Sequence, residues 1–279
     1  ANFATAMGSA SKIAAFSDDS ITLSEGTIAA GAETTAVVAG FAKIKNAQVD
    51  AITLTDAQAA TSNLLSDGSI SNASVTISEP VTSSETAVLA SIAKIAADGI
   101  TDISITAAEF NTAGTANLAA FKAGDANDGV AISDGATGGD LTFLINATNL
   151  AKVKDGGIST ISLSDAQFAS TLSSSSKAGK FATDSVTLSE GTISTGAETT
   201  AVVNYVAKIA DAQVDAITLN DANFATAMGS ASKIAAFSTD SVTLSEGTIS
   251  TGAETTAVVA AVAKIADAQV DAITLNDAN

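Results

Sequence analysis

Val214-Asp215-Ala216-Ile217-Thr218-Leu219-Asn220-Asp221-Ala222-Asn223-Phe224 decides the fold. Ile217 and Leu219 alternate with Thr218 and Asn220, the period-two pattern of a strand with one buried face. On its N-terminal side the period changes. Thr195-Gly196-Ala197-Glu198 reads as a capping box, with Thr195 accepting from the helix backbone and Glu198 reaching back. Val202, Val203, Val206 and Ile209 then recur at helical spacing, and Lys208 stands near the carbonyl end, where a cation is favoured. On the C-terminal side Asp221 follows the strand directly, in an N-cap position, as Asp165 and Asp277 do after theirs, and a weaker helix around Ala231-Ser232-Lys233-Ile234 comes next.

The same strand recurs along the chain. One series is Ile21-Thr22-Leu23-Ser24, Val75-Thr76-Ile77-Ser78, Val130-Ala131-Ile132-Ser133, Val186-Thr187-Leu188-Ser189 and Val242-Thr243-Leu244-Ser245, with starts 54, 55, 56 and 56 residues apart. A second series lies between them: Ile52-Thr53-Leu54-Thr55, Ile103-Ser104-Ile105-Thr106, Ile161-Ser162-Leu163-Ser164, Ile217-Thr218-Leu219-Asn220 and Ile273-Thr274-Leu275-Asn276. Residues 1–58 align without gaps to 222–279 and match at 48 of 58 positions. Thr251 with Glu254 repeats the capping box, and Thr82 with Glu85 keeps a diverged form.

A helix between consecutive strands implies parallel pairing through right-handed crossovers. The expected fold class is α/β, a repetitive β/α solenoid. One parallel sheet of about ten short strands at ~4.8 Å spacing carries helices packed on one side. The expected organisation is a single array over 1–279, of four periods of about 55 residues with two strand-helix half-repeats each, diverged at about 60–160. The chain opens at Ala1-Asn2-Phe3 and closes at Asp277-Ala278-Asn279, the same point of the cycle. A segment of a longer periodic polymer, with open strand edges, is the expectation.

Composition narrows the function. The chain has 279 residues, 30 acidic side chains against 12 basic ones and a net charge of −18, and every basic residue is Lys. There is no Arg, His, Cys or Trp. Triads, Cys-His nucleophiles and ordinary zinc sites are thereby excluded, as is a disulfide framework. Nucleic-acid binding needs clustered cations, which a chain of pI ≈ 4.1 does not offer. Disorder does not suit 46% hydrophobic residues and a mean hydropathy of +0.34. No run approaches the roughly 18 apolar residues of a membrane span.

Three sets of residues are candidate sites. The acids that end the strands, Glu25, Asp56, Glu79, Asp134, Asp165, Glu190, Asp221, Glu246 and Asp277, form a column that reads as helix-start charges or as a calcium ladder. The stretch 124–140 interrupts the repeat. Its Asp, Asn and Gly density offers Asp125, Asn127, Asp128, Asp134 and Asp140 as calcium ligands, but Gly129 and Ala136 break the EF-hand spacing and favour a turn-rich surface loop. Last are two outward columns, Thr22, Thr53, Thr76, Ser104, Ala131, Ser162, Thr187, Thr218, Thr243, Thr274 and Ser24, Thr55, Ser78, Thr106, Ser133, Ser164, Ser189, Asn220, Ser245, Asn276. A catalytic carboxylate pair should be singular, whereas these acids recur with the period, so an enzyme is not expected. Tyr205 is a further singular residue.

The 214–224 segment resembles the leucine-rich-repeat pattern of apolar residues, with Ala222 where that family carries Asn. The paired Thr/Ser columns resemble the ice-binding face of β-solenoid antifreeze proteins. The whole alternation of Ile-Thr-Leu-Ser/Asn strands with Ala-Lys-Ile helices resembles repeat regions of giant secreted or cell-surface proteins of bacteria, cyanobacteria among them. That last resemblance implies an extracellular or cell-surface location and a structural role, as a self-associating element of a filament, fibre or surface layer. The alternative is an adhesin stalk or an ice- or glycan-binding module. No cofactor is required on this reading, with calcium the one cofactor left open. The expected partner is a second copy of the chain, without nucleic acid or membrane insertion, and cell-surface attachment falls to regions outside this chain.

Overall fold

The computed structural model describes residues 2–29 and 31–275. It is mixed α/β, with short parallel strands alternating with short helices. Contacts divide the chain into two compact units. One holds the residues up to Ser133 together with Ala151–Lys154, and the other holds Asp134–Leu150 and the residues from Asp155 onward. The division falls where the sequence period is interrupted.

In the second unit Ala216–Leu219 lies parallel to Val242–Leu244, with Ile217 opposite Val242, Thr218 opposite Thr243 and Leu219 opposite Leu244. Ile217 and Leu219 are buried, whereas Thr218 and Asn220 face solvent. The alternation of the sequence has become inside and outside. Ile161–Leu163 pairs with Val186–Leu188 in the same way. The first unit repeats the register, Ile52, Thr53 and Leu54 against Val75, Thr76 and Ile77, and Ile103, Ser104 and Ile105 against Val130, Ala131 and Ile132.

One sheet of about ten strands does not form. Among the described residues the pairings make five sheets of two or three strands. The cause lies in the long half-repeats, which pass the ladder to a second piece of strand. Val186–Leu188 pairs backward with Ile161–Leu163, whereas Thr192–Ile193 pairs forward with Ala216 and Ile217. Between the two pieces Gly191 has φ +71°, and a Cβ there would stand 2.7 Å from the Gln213 carbonyl oxygen. Only glycine meets both constraints without strain. Gly247 repeats the break ahead of Thr248–Ile249, which pairs with Ala272–Ile273.

Corners join successive half-repeats within each unit. Ile209 and Val214 are fully buried, and between them Ala212 takes φ 52°. Asp19, Ala47, Ala73, Asp98, Asp184, Asp240 and Ala268 share this left-handed conformation, with φ from 52° to 59°. It is uncommon outside glycine, and alanine has no polar side chain to assist it. Hydrogen bonds to the neighbouring half-repeat hold it. Ala212 N–H donates to Ala235 O at 2.8 Å, Asp184 N–H to Ala207 O at 3.1 Å and Ala73 N–H to Ala93 O at 2.9 Å. Lysines add a second tie. Lys208 Nζ donates to Phe181 O at 2.6 Å and Lys264 Nζ to Phe237 O at 2.5 Å, and Lys94 reaches Ile70 O likewise. Lys208 thus serves the corner of the preceding half-repeat as well as standing at the close of its own helix.

The helices stack on one another. Gly196–Tyr205 packs against Asp165–Thr171 and Asp221–Ala227, and Asp221–Ala227 packs in turn against Gly252–Ala261. Phenylalanines fill the gaps between layers of small residues: Phe110, Phe121, Phe168, Phe181, Phe224 and Phe237 are fully buried. Phe110 and Phe121 meet edge to face at 5.5 Å.

Candidate functional site

The first outward column is exposed within each unit. Thr22, Thr53, Ser104, Ser162, Thr187, Thr218, Thr243 and Thr274 are exposed, and only Thr76 and Ala131 are half-buried. Neighbours stand in register across each paired ladder, as in Ser162 opposite Thr187 and Thr218 opposite Thr243. No charged residue interrupts this column. Cross-strand hydroxyl pairs of this kind stabilise a sheet only modestly, so its hydrogen-bonding capacity is left facing outward.

The second column is not a matching rank. Thr55, Thr106, Ser164 and Asn220 are helix N-caps, accepting from the backbone N–H of Gln58, Glu109, Gln167 and Asn223. In the first three the box is closed by the Gln or Glu side chain reaching back. This corrects the expectation that Asp165 and Asp221 are the caps. The cap is the residue before each, and the acid sits in the first helical turn, where the dipole still favours it. The boxes Thr195 with Glu198 and Thr251 with Glu254 form as read. In each, backbone N–H groups of the Thr and of the preceding Ser hold the Glu carboxyl below its ordinary range. The diverged box does not form: Ser84 precedes Glu85–Ala90, and Thr82 donates instead to Asp56.

The acidic column divides in two. Glu25, Glu79, Asp134, Glu190 and Glu246 are exposed, whereas Asp56, Asp165 and Asp221 are buried. Asp277 lies outside the described residues. Asp56 reaches into the next helix start and accepts five hydrogen bonds, from Ser84 N and Oγ, Ser83 N and Oγ and Thr82 Oγ1, at 2.6–3.0 Å. Burial alone would push its pKa up, but these donors together hold it well below the carboxylate range. Asp165 has the opposite balance. Burial pushes it up, the charges of Glu190 and Glu198 add to that, and the Gly191 N–H at 3.2 Å opposes. Its Oδ2 is buried without a partner, as is Oδ1 of Asp221. The column is therefore structural in three places and solvated in five, not one ladder of equivalent ligands.

The candidate calcium residues are dispersed. Asp125 Oδ1 accepts the backbone N–H of Asn127 and Asp128 at 2.8 and 2.9 Å, a turn closed on itself. Asp128 is ion-paired with Lys122, and that bond pushes the lysine pKa up. Asp134 and Asp140 belong to the other unit, Asp140 in the first turn of Gly138–Leu144. Among the described residues no group of three or more His, Cys, Asp or Glu is gathered to hold a metal ion. Tyr205 is half-buried as the last residue of its helix. No helix among the described residues is long and apolar enough to cross a membrane.

No family model, no curated protein and no solved structure matches the chain.

Proposed function

We propose that this chain is a structural repeat protein of the cell exterior, a β/α solenoid whose copies associate side by side into a filament, fibre or surface layer. The solenoid reading is supported within each unit by parallel pairings in constant register and by corner hydrogen bonds between successive half-repeats. One observation carries the functional reading, the exposed and uncharged column of Thr and Ser along registered strands. Parallel sheets seldom leave a face bare. A second copy laid on this face makes the same weak contact at every half-repeat, and the contacts add.

No catalytic role and no cofactor belong to this reading. Calcium enters only as a cation that screens the charge of −18. Two matched hydroxyl ranks, as an ice-binding face would need, are interrupted, since Thr55, Thr106, Ser164 and Asn220 of the second column are engaged as helix caps. The test is the combined variant Thr187→Lys, Thr218→Lys and Thr243→Lys, all at exposed positions. It should fold as the parent does and lose lateral assembly. Assembly equal to the parent at every salt concentration would remove the sheet face as the interface.

A further inference from the structure

The chain carries Asn-x-Ser/Thr, the acceptor pattern for an N-linked glycan, twice: Asn72-Ala73-Ser74 and Asn146-Ala147-Thr148. The pattern is short and arises easily by chance, so what each copy does in the fold decides its meaning. Asn72-Ala73-Ser74 is a corner of the repeat. Ala73 takes φ 54° and its N–H donates to Ala93 O at 2.9 Å, and Ser74 N–H donates to Lys94 O at 2.9 Å. Ser74 is 4% exposed, and its hydroxyl donates to Ser71 O at 2.6 Å. Ser20 and Ser185 do the same at their own corners, to Ser17 O at 2.6 Å and Ala182 O at 2.8 Å. The repeat accounts for this serine, and its hydroxyl is out of a transferase's reach.

Asn146-Ala147-Thr148 has no such explanation. It lies between the strands Gly129–Ile132 and Val153–Ile158, where two short helices, Gly138–Leu144 and Ala147–Leu150, replace the single ten-residue helix of Gly196–Tyr205 or Gly252–Ala261. Leu144 and Leu150 are 1% exposed and anchor the link, whereas Asn146, Ala147 and Thr148 are all exposed. Asn146 Oδ1 accepts the Thr148 N–H at 3.0 Å, an Asx turn. Leu150 N–H donates to Asn146 O at 2.8 Å, and Asn149 Nδ2 to Phe143 O at 2.8 Å, so the turn is held from both sides. The carboxamide nitrogen of Asn146 and the hydroxyl of Thr148 have no hydrogen-bond partner among the described residues. Those are the two groups that the modification uses.

We infer that Asn146 is an acceptor for an N-linked glycan in the folded chain and that Asn72 is not. The donor is an oligosaccharide carried on a lipid diphosphate. A bond forms between Asn146 Nδ2 and the anomeric carbon of the first sugar, and the bond from that carbon to the diphosphate oxygen breaks. Nδ2 gives up one proton, and the lipid diphosphate leaves. The Thr148 hydroxyl is the group by which a transferase reads the acceptor. Asn146 belongs to neither outward column, so a bulky, hydrated glycan there adds solubility without occupying a Thr or Ser of the sheet face. The inference rests on the cell-exterior reading, since glycans of this kind are added to exported chains. Its readout is a mass and not an assembly, so the two fail separately.

Intact-mass and peptide-mapping spectrometry tests it on the purified folded chain, incubated with a single-subunit oligosaccharyltransferase and a polyprenyl-diphosphate-linked oligosaccharide. The chain should gain the mass of one glycan, and the map should place it on Asn146. Asn146→Gln and Thr148→Ala should each keep the circular dichroism spectrum of the parent and gain nothing. Thr148→Ser, which restores the hydroxyl, should gain the glycan again, and Asn72→Gln should gain it as the parent does. A folded parent that stays bare, a glycan mapped to Asn72, or an Asn146→Gln chain that still gains the mass would overturn the inference. Thr148→Ala gaining the glycan as readily as the parent would overturn it as well, because the hydroxyl would then play no part.

Discussion

One repeat position carries opposite electrostatics in different copies, and residue-scale predictions follow from it. Asp56 and Asp165 both sit in the first turn of a helix after a strand, and both are buried. Five donors surround the first, whereas one oxygen of the second has no partner. The folded pKa of Asp56 lies below its unfolded value. Its contribution is complete above the ordinary carboxylate range and is lost as pH falls through the folded value. Asp165 is raised, so its contribution is complete below that range and is lost as pH rises through the folded value. Asp56→Asn points an amide donor at donors and should cost about 1–3 kcal/mol at neutral pH. Asp165→Asn should instead raise the urea midpoint at neutral pH and leave little difference in acid. A lower midpoint at neutral pH for Asp165→Asn would mean that the hydrogen bond from Gly191 outweighs the cost of burying the carboxylate.

At the scale of elements, two glycines separate strain from tolerance. Gly191 joins the two strand pieces at φ +71° with a carbonyl 2.7 Å from where a Cβ would be, so Gly191→Ala should destabilise by more than about 1 kcal/mol. Gly196 opens the following helix with nothing within 4 Å of its Cβ position, so Gly196→Ala should be neutral or stabilise by about 0.5–1 kcal/mol. Thr195→Ala removes a formed cap and should cost about 1 kcal/mol. Thermal melts of the three variants give the order, and Gly191→Ala melting with or above Gly196→Ala would contradict the broken strand. Much of this layer was legible beforehand. The strands around Ile52, Val75, Ile103, Val130, Ile161, Val186, Ile217 and Val242, their register and the boxes at Thr195 and Thr251 follow from period and cap chemistry, whereas Ile21 makes only an isolated bridge and Val153–Ile158 carries no such signal. The caps at Thr55, Thr106 and Ser164 were hidden because each also satisfies the outward alternation of its strand. The break at Gly191 was hidden because Ser189-Glu190-Gly191 reads as an ordinary turn. The left-handed corners gave least warning, since Ala47, Ala73 and Ala212 carry no signal for φ > 0 and are held by hydrogen bonds to a neighbouring half-repeat.

For the whole molecule, charge and repetition pull against each other. A net charge of −18 keeps copies apart at low ionic strength, and screening lets the repeated contacts add. Assembly should therefore rise with sodium chloride. Calcium should act at lower concentration through its double charge, without the large calcium-specific rise in melting temperature that a ligand bound only to the native state would bring. The outward Thr column was legible in the sequence because period two fixes which side chains leave the core. Electron microscopy of the purified chain across a salt series tests self-association most directly. Ordered fibres or sheets, absent at low salt and abundant at high salt, are the predicted result. Single dispersed particles at every salt and protein concentration would contradict it.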